Sequence, residues 1–108
     1  MDDSFCPVYA SIELLQEKWT LHIIRQLLAG PSGFNELARG VGVNAVTLSA
    51  RLSRLEALGV VRREVESVMP PKTRYELTEA GLELQGVIDA VGQWGRAYLQ
   101  SRDIASDC

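Results

Sequence analysis

Residues 33–59 read GFNELARGVGVNAVTLSARLSRLEALG. The first part predicts a short helix from about Gly33 to Arg39, and the glycines of the following GVGV allow a tight connection. A second helix is predicted from Asn44 to Leu58, because Asn is a favoured N-cap and Gly59 suits a helix end. One stripe of this helix is apolar and should be buried: Leu48, Leu52 and Leu55. Two helices joined by a glycine-containing turn form a helix-turn-helix unit.

The segments that follow this unit predict a β-hairpin. Residues 60–66 and 73–78 have the character of short strands, and Met69-Pro70-Pro71 provides the turn between them. A hairpin directly after the second helix makes the helix-turn-helix a winged one.

The two ends of the chain predict further helices. Apolar residues recur at three- to four-residue steps from Ile12 to Leu27, with a break near Glu17-Lys18 and an end at Gly30-Pro31. A last helix is predicted from about Glu79 to Leu99. The predicted fold class is therefore mainly α (α+β): a winged helix-turn-helix with a two-stranded wing and N- and C-terminal helices.

Size and composition place these elements in one domain. The chain has 108 residues, of which 46% are hydrophobic and 23% charged, as in ordinary globular domains. We expect a single domain over residues 1–108 with a loose tail from about residue 101. No apolar run approaches the roughly 20 residues that a membrane span needs. The acidic start, Met1-Asp2-Asp3-Ser4, differs from a signal peptide, so we expect a cytoplasmic protein.

Residues for catalysis or metal binding are scarce. A structural zinc site needs about four Cys or His ligands, whereas the chain has only Cys6, Cys108 and His22. His22 lies in an apolar helical run, where a packed or half-exposed histidine is expected rather than a catalytic one. The sequence also lacks a Gly-rich phosphate loop. We therefore expect no enzyme activity, no metal and no cofactor, and no small-molecule effector is identified.

Charge is unevenly distributed along this acidic chain. The net charge is −3, but between Phe34 and Arg74 seven basic residues stand against four acidic ones. A local basic face is compatible with phosphate binding, because salt screens charges beyond about 8 Å.

The side of the second helix opposite the leucines is the candidate DNA-reading face, since such a helix fits the major groove. The candidates are Asn44, Ala45, Val46, Thr47, Ser49, Ala50, Arg51, Ser53 and Arg54. Asn44 can pair with adenine, whereas Arg51 is placed to reach phosphate. The alternative is a solvated helix face without function, which small residues such as Ser49 and Ala50 also fit.

Basic residues on the hairpin add candidate phosphate contacts. Arg62, Lys72 and Arg74 lie on or beside the wing, where they can hold the DNA backbone without reading sequence. The alternative is that these are solvated strand charges.

The last helix has an apolar seam of coiled-coil type. Its members are Leu84, Val87, Val91, Trp94 and Tyr98. A domain of this size cannot easily bury two aromatic residues of a terminal helix, which favours a homodimer. The alternative is that the seam packs on its own domain.

Several motifs in the same order resemble the HxlR family of bacterial transcriptional regulators. They are Cys6-Pro7-Val8, residues 17–21 (EKWTL), 33–37 (GFNEL), 52–56 (LSRLE), 59–63 (GVVRR) and 70–78 (PPKTRYELT). The resemblance covers roughly residues 6–99. It implies a homodimer that binds operator DNA, with Val8 and Ile12 of the first helix and the last helix at the dimer interface.

The resemblance also implies a role for Cys6. In several members an N-terminal cysteine senses oxidants or electrophiles, whereas the alternative here is an unreactive cysteine packed against the first helix. One departure concerns Ala45, Val46 and Ala50, because many members carry longer polar side chains there. It predicts a different or weakly read operator.

Two functions remain open from the sequence. The first is a homodimeric DNA-binding regulator, more often a repressor, that acts on a pseudo-palindromic operator in double-stranded DNA and responds to redox signals through Cys6. The second is a winged-helix module for protein–protein interaction without DNA binding. The sparse reading face favours the second, and the basic wing favours the first.

Overall fold

The computed structural model of the chain describes residues 4–100. The predicted loose tail from about residue 101, together with Cys108, lies outside this part. The elements are α1 (Pro7–Leu15), α2 (Thr20–Leu28), β1 (Ser32–Gly33), α3 (Phe34–Val41), α4 (Ala45–Ala57), β2 (Val61–Val68), β3 (Pro71–Leu77), α5 (Glu79–Leu82) and α6 (Gln85–Tyr98).

The helical region before residue 30 is divided as predicted. Between α1 and α2 the chain passes through Trp19, whose φ of 79° lies in the left-handed region. This conformation is rare for a residue with a side chain, and an α-helix cannot continue through it. The predicted break near Glu17-Lys18 is confirmed.

The second helix of the helix-turn-helix, α4, also forms as predicted. Asn44 is its N-cap, and its side-chain oxygen accepts a hydrogen bond of 2.8 Å from the Thr47 amide. At the other end Gly59 takes a φ of +78°, which glycine adopts without strain. All three leucines of the stripe are buried. The predicted boundaries and buried side of α4 are therefore confirmed.

The sheet has one strand more than predicted. β2 and β3 form the expected antiparallel hairpin, with Val61 opposite Leu77 and Val68 opposite Pro71. In addition β1 pairs with β3, with Ser32 opposite Tyr75, so the sheet order is β1-β3-β2. The predicted two-stranded wing is confirmed, whereas β1 was not predicted because a two-residue strand is too short to show alternation.

The single C-terminal helix predicted from Glu79 to Leu99 was also wrong. The structure has a four-residue helix, α5, a turn at residues 83–84, and then α6. Gly81 is buried, and a side chain there would collide with the carbonyl oxygen of Val60. Leu84 at the turn packs against the protein's own core, so it differs in position from the rest of the predicted seam.

The core lies where α2, α3 and α4 meet the hairpin. Its buried hydrophobic residues are Ile23, Ile24, Leu27, Leu37, Val43, Leu48, Leu52, Leu55, Val60, Val61 and Leu77. Burying one such side chain stabilises the fold by about 1.5–3 kcal/mol. Neither α1 nor α6 contributes a buried residue. The two terminal helices thus lie outside the core, which the winged helix-turn-helix forms largely alone.

The close packing of α5 gives a test of this arrangement. We expect Gly81→Ala to lower the free energy of unfolding by about 1–3 kcal/mol, since its methyl group must displace Val60 or Leu77. Gly86→Ala is the matched control, because nothing lies within 4 Å of the added methyl group. It should leave stability unchanged or raise it by up to about 1 kcal/mol. Denaturant unfolding measures both, and equal effects would contradict the packing described.

Candidate nucleic-acid interface

The outward face of α4 is exposed along its whole length. Val46 is 82% exposed, and Ser49, Ala50 and Ser53 on the same side are exposed as well. Ala45 at the N-terminal end is also exposed, whereas Thr47 is half-buried. The structure therefore brings the predicted small residues together on one surface, with hydroxyl groups as its hydrogen-bonding atoms.

Asn44 has a structural task at the start of this face. Its Oδ1 atom is engaged as the acceptor of the Thr47 amide, which holds the first turn of α4. Bidentate pairing with adenine needs both the oxygen and the nitrogen of the side chain. While the cap is formed, the orientation of the Asn44 side chain is fixed and one of the two lone pairs of Oδ1 is used.

The two arginines of α4 reach away from this face to the turn between α1 and α2. Arg51 Nε donates a hydrogen bond of 2.8 Å to the Lys18 carbonyl oxygen. Arg54 Nε donates to a carboxylate oxygen of Glu17 at 2.5 Å. These contacts join the outer flank of the helix to residues more than 30 positions earlier in the sequence.

The predicted phosphate-binding residues of the wing also have carboxylate partners. Arg62 forms hydrogen bonds of 3.0 and 2.7 Å to Glu76 on the neighbouring strand. Glu66 faces two cations, Lys72 at 3.6 Å and Arg74 at 3.1 Å. Arg74 further donates to the Pro31 carbonyl oxygen, which ties the wing to the chain before β1. Such surface pairs are weak and are readily exchanged for a phosphate.

The wing has an apolar tip and an exposed arginine near its base. Met69 is 89% exposed, and Val68 is exposed as well. Arg63 on β2 is exposed too, and within residues 4–100 it has no carboxylate partner within ion-pair distance. Sequence reasoning did not select Arg63, which follows Arg62 on β2 and therefore points to the opposite face of the sheet.

The acidic partners were also missed by sequence reasoning. Glu76 lies directly opposite Arg62 on the neighbouring strand. Assigning the strand register of the hairpin from the sequence could therefore have revealed this pair. Glu17 is 37 residues away from Arg54, and no periodicity connects the two. The consequence is a surface on which most of the selected cations are locally neutralised.

A second surface is apolar and lies on the terminal helices. On α1, Val8, Tyr9 and Ile12 are exposed. On α6, Trp94 is 59% and Tyr98 72% exposed, with ring centroids 5.7 Å apart. Further exposed members are Val87 and Val91. Large apolar areas of this kind on a folded protein mark interaction sites.

Cys6 lies at the start of α1, next to this apolar surface. It is exposed, and its Sγ atom accepts a hydrogen bond of 3.5 Å from the Tyr9 amide as the N-cap of the helix. His22 is exposed on α2 rather than packed in the core, with its ring 5.9 Å from that of Trp19.

Two kinds of feature are absent from the described part of the chain. In residues 4–100 no helix is long and apolar enough to cross a membrane. The same residues contain no group of three or more His, Cys, Asp or Glu side chains arranged to hold a metal ion.

Comparison with known proteins identifies related chains. A family model described as HxlR-like helix-turn-helix matches residues 14–103. An uncharacterized HTH-type transcriptional regulator of Mycobacterium tuberculosis, MT3179, is 43% identical over 89 residues, which are 82% of this chain and 56% of the relative. The chain thus spans little more than half the length of this curated relative.

Solved structures share the fold. The reduced form of the transcriptional regulator YodB from Bacillus subtilis superposes with a TM-score of 0.78 at 32% identity, covering 89% of this chain and 96% of YodB. The oxidized form of the redox regulator HypR gives 0.77 at 32% identity, covering 88% and 99%. YodB has also been solved diamide-treated and quinone-bound.

The predicted winged helix-turn-helix architecture is confirmed by these structures and by the fold described above, apart from the third strand and the divided C-terminal helix. With the family model covering more than half of its residues, the chain belongs to the HxlR-like helix-turn-helix family.

Proposed function

We propose that this protein is a DNA-binding transcriptional regulator, most simply a repressor, that acts as a homodimer on a pseudo-palindromic operator. The observation that carries the proposal is the exposed outer face of α4 followed directly by the wing. A helix of this kind enters the major groove, while a wing beside it contacts the flanking backbone. We further propose that this protein works in the cytoplasm, where bacterial operators lie, and that its described residues form one domain without catalytic activity.

The contacts divide into two groups by their chemistry. Ser49 and Ser53 can hydrogen-bond to bases, and Val46 and Ala50 can contact a thymine methyl group. Phosphate contacts come from Arg54 and from the basic residues of the wing. Because only short side chains reach the bases, we expect modest sequence discrimination and a large share of the affinity from phosphates.

The apolar surface of α1 and α6 supports dimerisation. Its residues are Val8, Tyr9, Ile12, Val87, Val91, Trp94 and Tyr98, and Leu84 is left out because it packs on its own core. A second copy that covers this surface would bury it and place the two α4 helices on one duplex. Successive major grooves are about 34–36 Å apart, which sets the spacing of the half-sites.

DNA binding should depend strongly on salt. If each protomer neutralises about three phosphates, log K plotted against log salt has a slope near −5. Arg54→Ala and Lys72→Ala each remove two contacts from a dimer, so each should weaken binding and reduce the slope by about 2. Fluorescence anisotropy with a duplex from upstream of the protein's own gene measures both quantities.

Arg25→Ala is the control for this experiment. It removes the same charge from the exposed side of α2, outside the proposed interface, and should leave affinity within about twofold. A slope near zero would count against DNA binding and favour a protein–protein interaction module. Unchanged affinity in both the Arg54 and Lys72 variants would show that the proposed surface is wrong.

The dimer is tested by placing a charge in the apolar surface. Trp94→Glu should convert a dimer, twice the chain mass of 11.9 kDa, into a monomer, because an unpaired carboxylate is costly to bury. Val46→Glu changes another exposed apolar residue, on α4 outside this surface, and should leave the dimer intact. Sedimentation velocity measures the mass. A wild-type monomer, or a dimer that tolerates Trp94→Glu, refutes this interface.

We also propose that Cys6 makes DNA binding responsive to oxidants. Among the similar structures, HypR is described as a redox regulator and YodB has been solved after diamide treatment. Cys6 is exposed and caps α1, so a change at its sulfur acts on a helix of the proposed dimer interface. Oxidation by diamide joins two thiols: each loses a proton and an electron, diamide takes up both hydrogens, and a disulfide forms. The second thiol is the Cys6 of a second copy or Cys108.

The sensor is tested by anisotropy before and after diamide. We expect treatment to lower the DNA affinity of the wild type at least severalfold and to leave Cys6→Ser unchanged. Cys108→Ser reports whether the second thiol is Cys108, since it then loses the response too. An identical response in wild type and Cys6→Ser would disprove the role of Cys6.

A further inference from the structure

The contact between Glu17 and Arg54 connects the recognition helix to the start of the chain. It joins a carboxylate on the α1–α2 turn to the guanidinium on the outer flank of α4. The Arg54 side chain is 51% exposed and that of Glu17 only 24% exposed. Arg54 is therefore accessible to a large ligand such as DNA, whereas the carboxylate lies deeper against the protein surface.

Several contacts fix the turn that carries this carboxylate. The Thr20 amide donates to the Glu17 carbonyl oxygen at 3.1 Å, and the Lys18 ammonium lies 5.4 Å from the centre of the Trp19 ring. Arg51 clamps the same turn to α4 through the Lys18 carbonyl oxygen. Glu17 thus occupies a set position relative to α4, and its pairing with Arg54 follows from the fold rather than from chance side-chain motion.

The position of the carboxylate resembles that of a phosphate beside a recognition helix. It is an anion that accepts a charge-assisted hydrogen bond from an arginine on the helix flank. A DNA phosphate that Arg54 contacts either takes the place of Glu17 or binds the Nη groups beside it, because Glu17 engages only Nε; in both cases the charge of Glu17 opposes that of the phosphate. The two anions also repel each other when both are near.

We propose that Glu17 is an internal counterion that occupies Arg54 in the free protein and competes with DNA phosphate for it. Glu17 is a positioning residue: it holds Arg54 on the α4 flank and reduces DNA affinity. The inference rests on the proposed DNA-binding function and adds an intramolecular control of its strength. Arg51 has a different role, because its partner is a backbone carbonyl that carries no net charge to compete with phosphate.

The size of the effect follows from the exposure of the pair. A partly exposed ion pair contributes a factor of about two to five in an equilibrium constant. A dimer exchanges two such pairs, so releasing both should tighten DNA binding by about 4- to 25-fold. The substitution Glu17→Gln removes the charge and keeps a side-chain oxygen for the hydrogen bond from Arg54.

The experiment is a double-mutant cycle on DNA affinity with wild type, Glu17→Gln, Arg54→Ala and the double variant. The probe is the upstream duplex, at a fixed low salt concentration. We expect Glu17→Gln to bind about 4- to 25-fold more tightly than wild type, and to change affinity by less than twofold when Arg54 is already alanine. Glu13→Gln is the matched control. This variant removes the same charge one turn earlier. Glu13 accepts a hydrogen bond from Gln16 and forms no ion pair with any residue of 4–100, so the DNA affinity should stay within twofold of wild type.

A purely structural role gives a different result. Denaturant unfolding should show Glu17→Gln to be equal to or slightly less stable than wild type, so stability and affinity change in opposite directions. Weaker or unchanged DNA binding by Glu17→Gln overturns the inference, and so does an equal gain in the Arg54→Ala background, which would indicate general charge repulsion. In both cases the DNA binding of wild type still stands. If wild type binds no DNA, the proposed function itself fails.

Discussion

Burial of the leucine stripe of α4 is the constraint on which the rest of the structure depends. Leu48, Leu52 and Leu55 are each at most 2% exposed, in contact with the core that α2, α3 and the hairpin form. Replacing one of them by alanine would cost about 2–5 kcal/mol, a large part of the stability of a small domain. Because the helix cannot rotate without exposing this stripe, the opposite side is held outward. The surface proposed to read DNA is thus set by the core rather than by its own contacts.

The ion pairs of the protein bear on how an acidic chain could present the proposed DNA-binding surface. Among residues 4–100, four cations on α4 and the wing lie near a carboxylate: Arg54 beside Glu17, Arg62 beside Glu76, and both Lys72 and Arg74 beside Glu66. These pairs cost little to break at the surface, and salt weakens them further. The positive electrostatic potential of this surface is therefore modest in the free protein. In the proposed DNA complex, phosphates replace these carboxylates or share their cations. In that complex the DNA affinity depends on the acidic side chains of the surface as well as on the basic ones.

Local sequence signals predicted those parts that local chemistry determines. The Asn44 cap, the leucine stripe, the break before α2 and the β2–β3 hairpin each follow from a few adjacent residues. Features that depend on tertiary contact were missed. The two-residue strand β1 exists only because β3 lies beside it, and α5 ends where Gly81 packs on Val60. Likewise the Arg54–Glu17 pair joins residues 37 positions apart, so the sequence suggested the candidate cations but not their carboxylate partners.

In the proposed complex two copies, joined through α1 and α6, hold their α4 helices at the spacing of successive major grooves. Double electron–electron resonance measures this spacing on the upstream duplex. The spin labels are attached at Ser49→Cys, with Cys6 and Cys108 replaced by serine. We expect one narrow population of label-to-label distances near 34–36 Å, lengthened by several ångströms because of the label linkers. The absence of dipolar coupling, or a distribution without a maximum in this range, would contradict it.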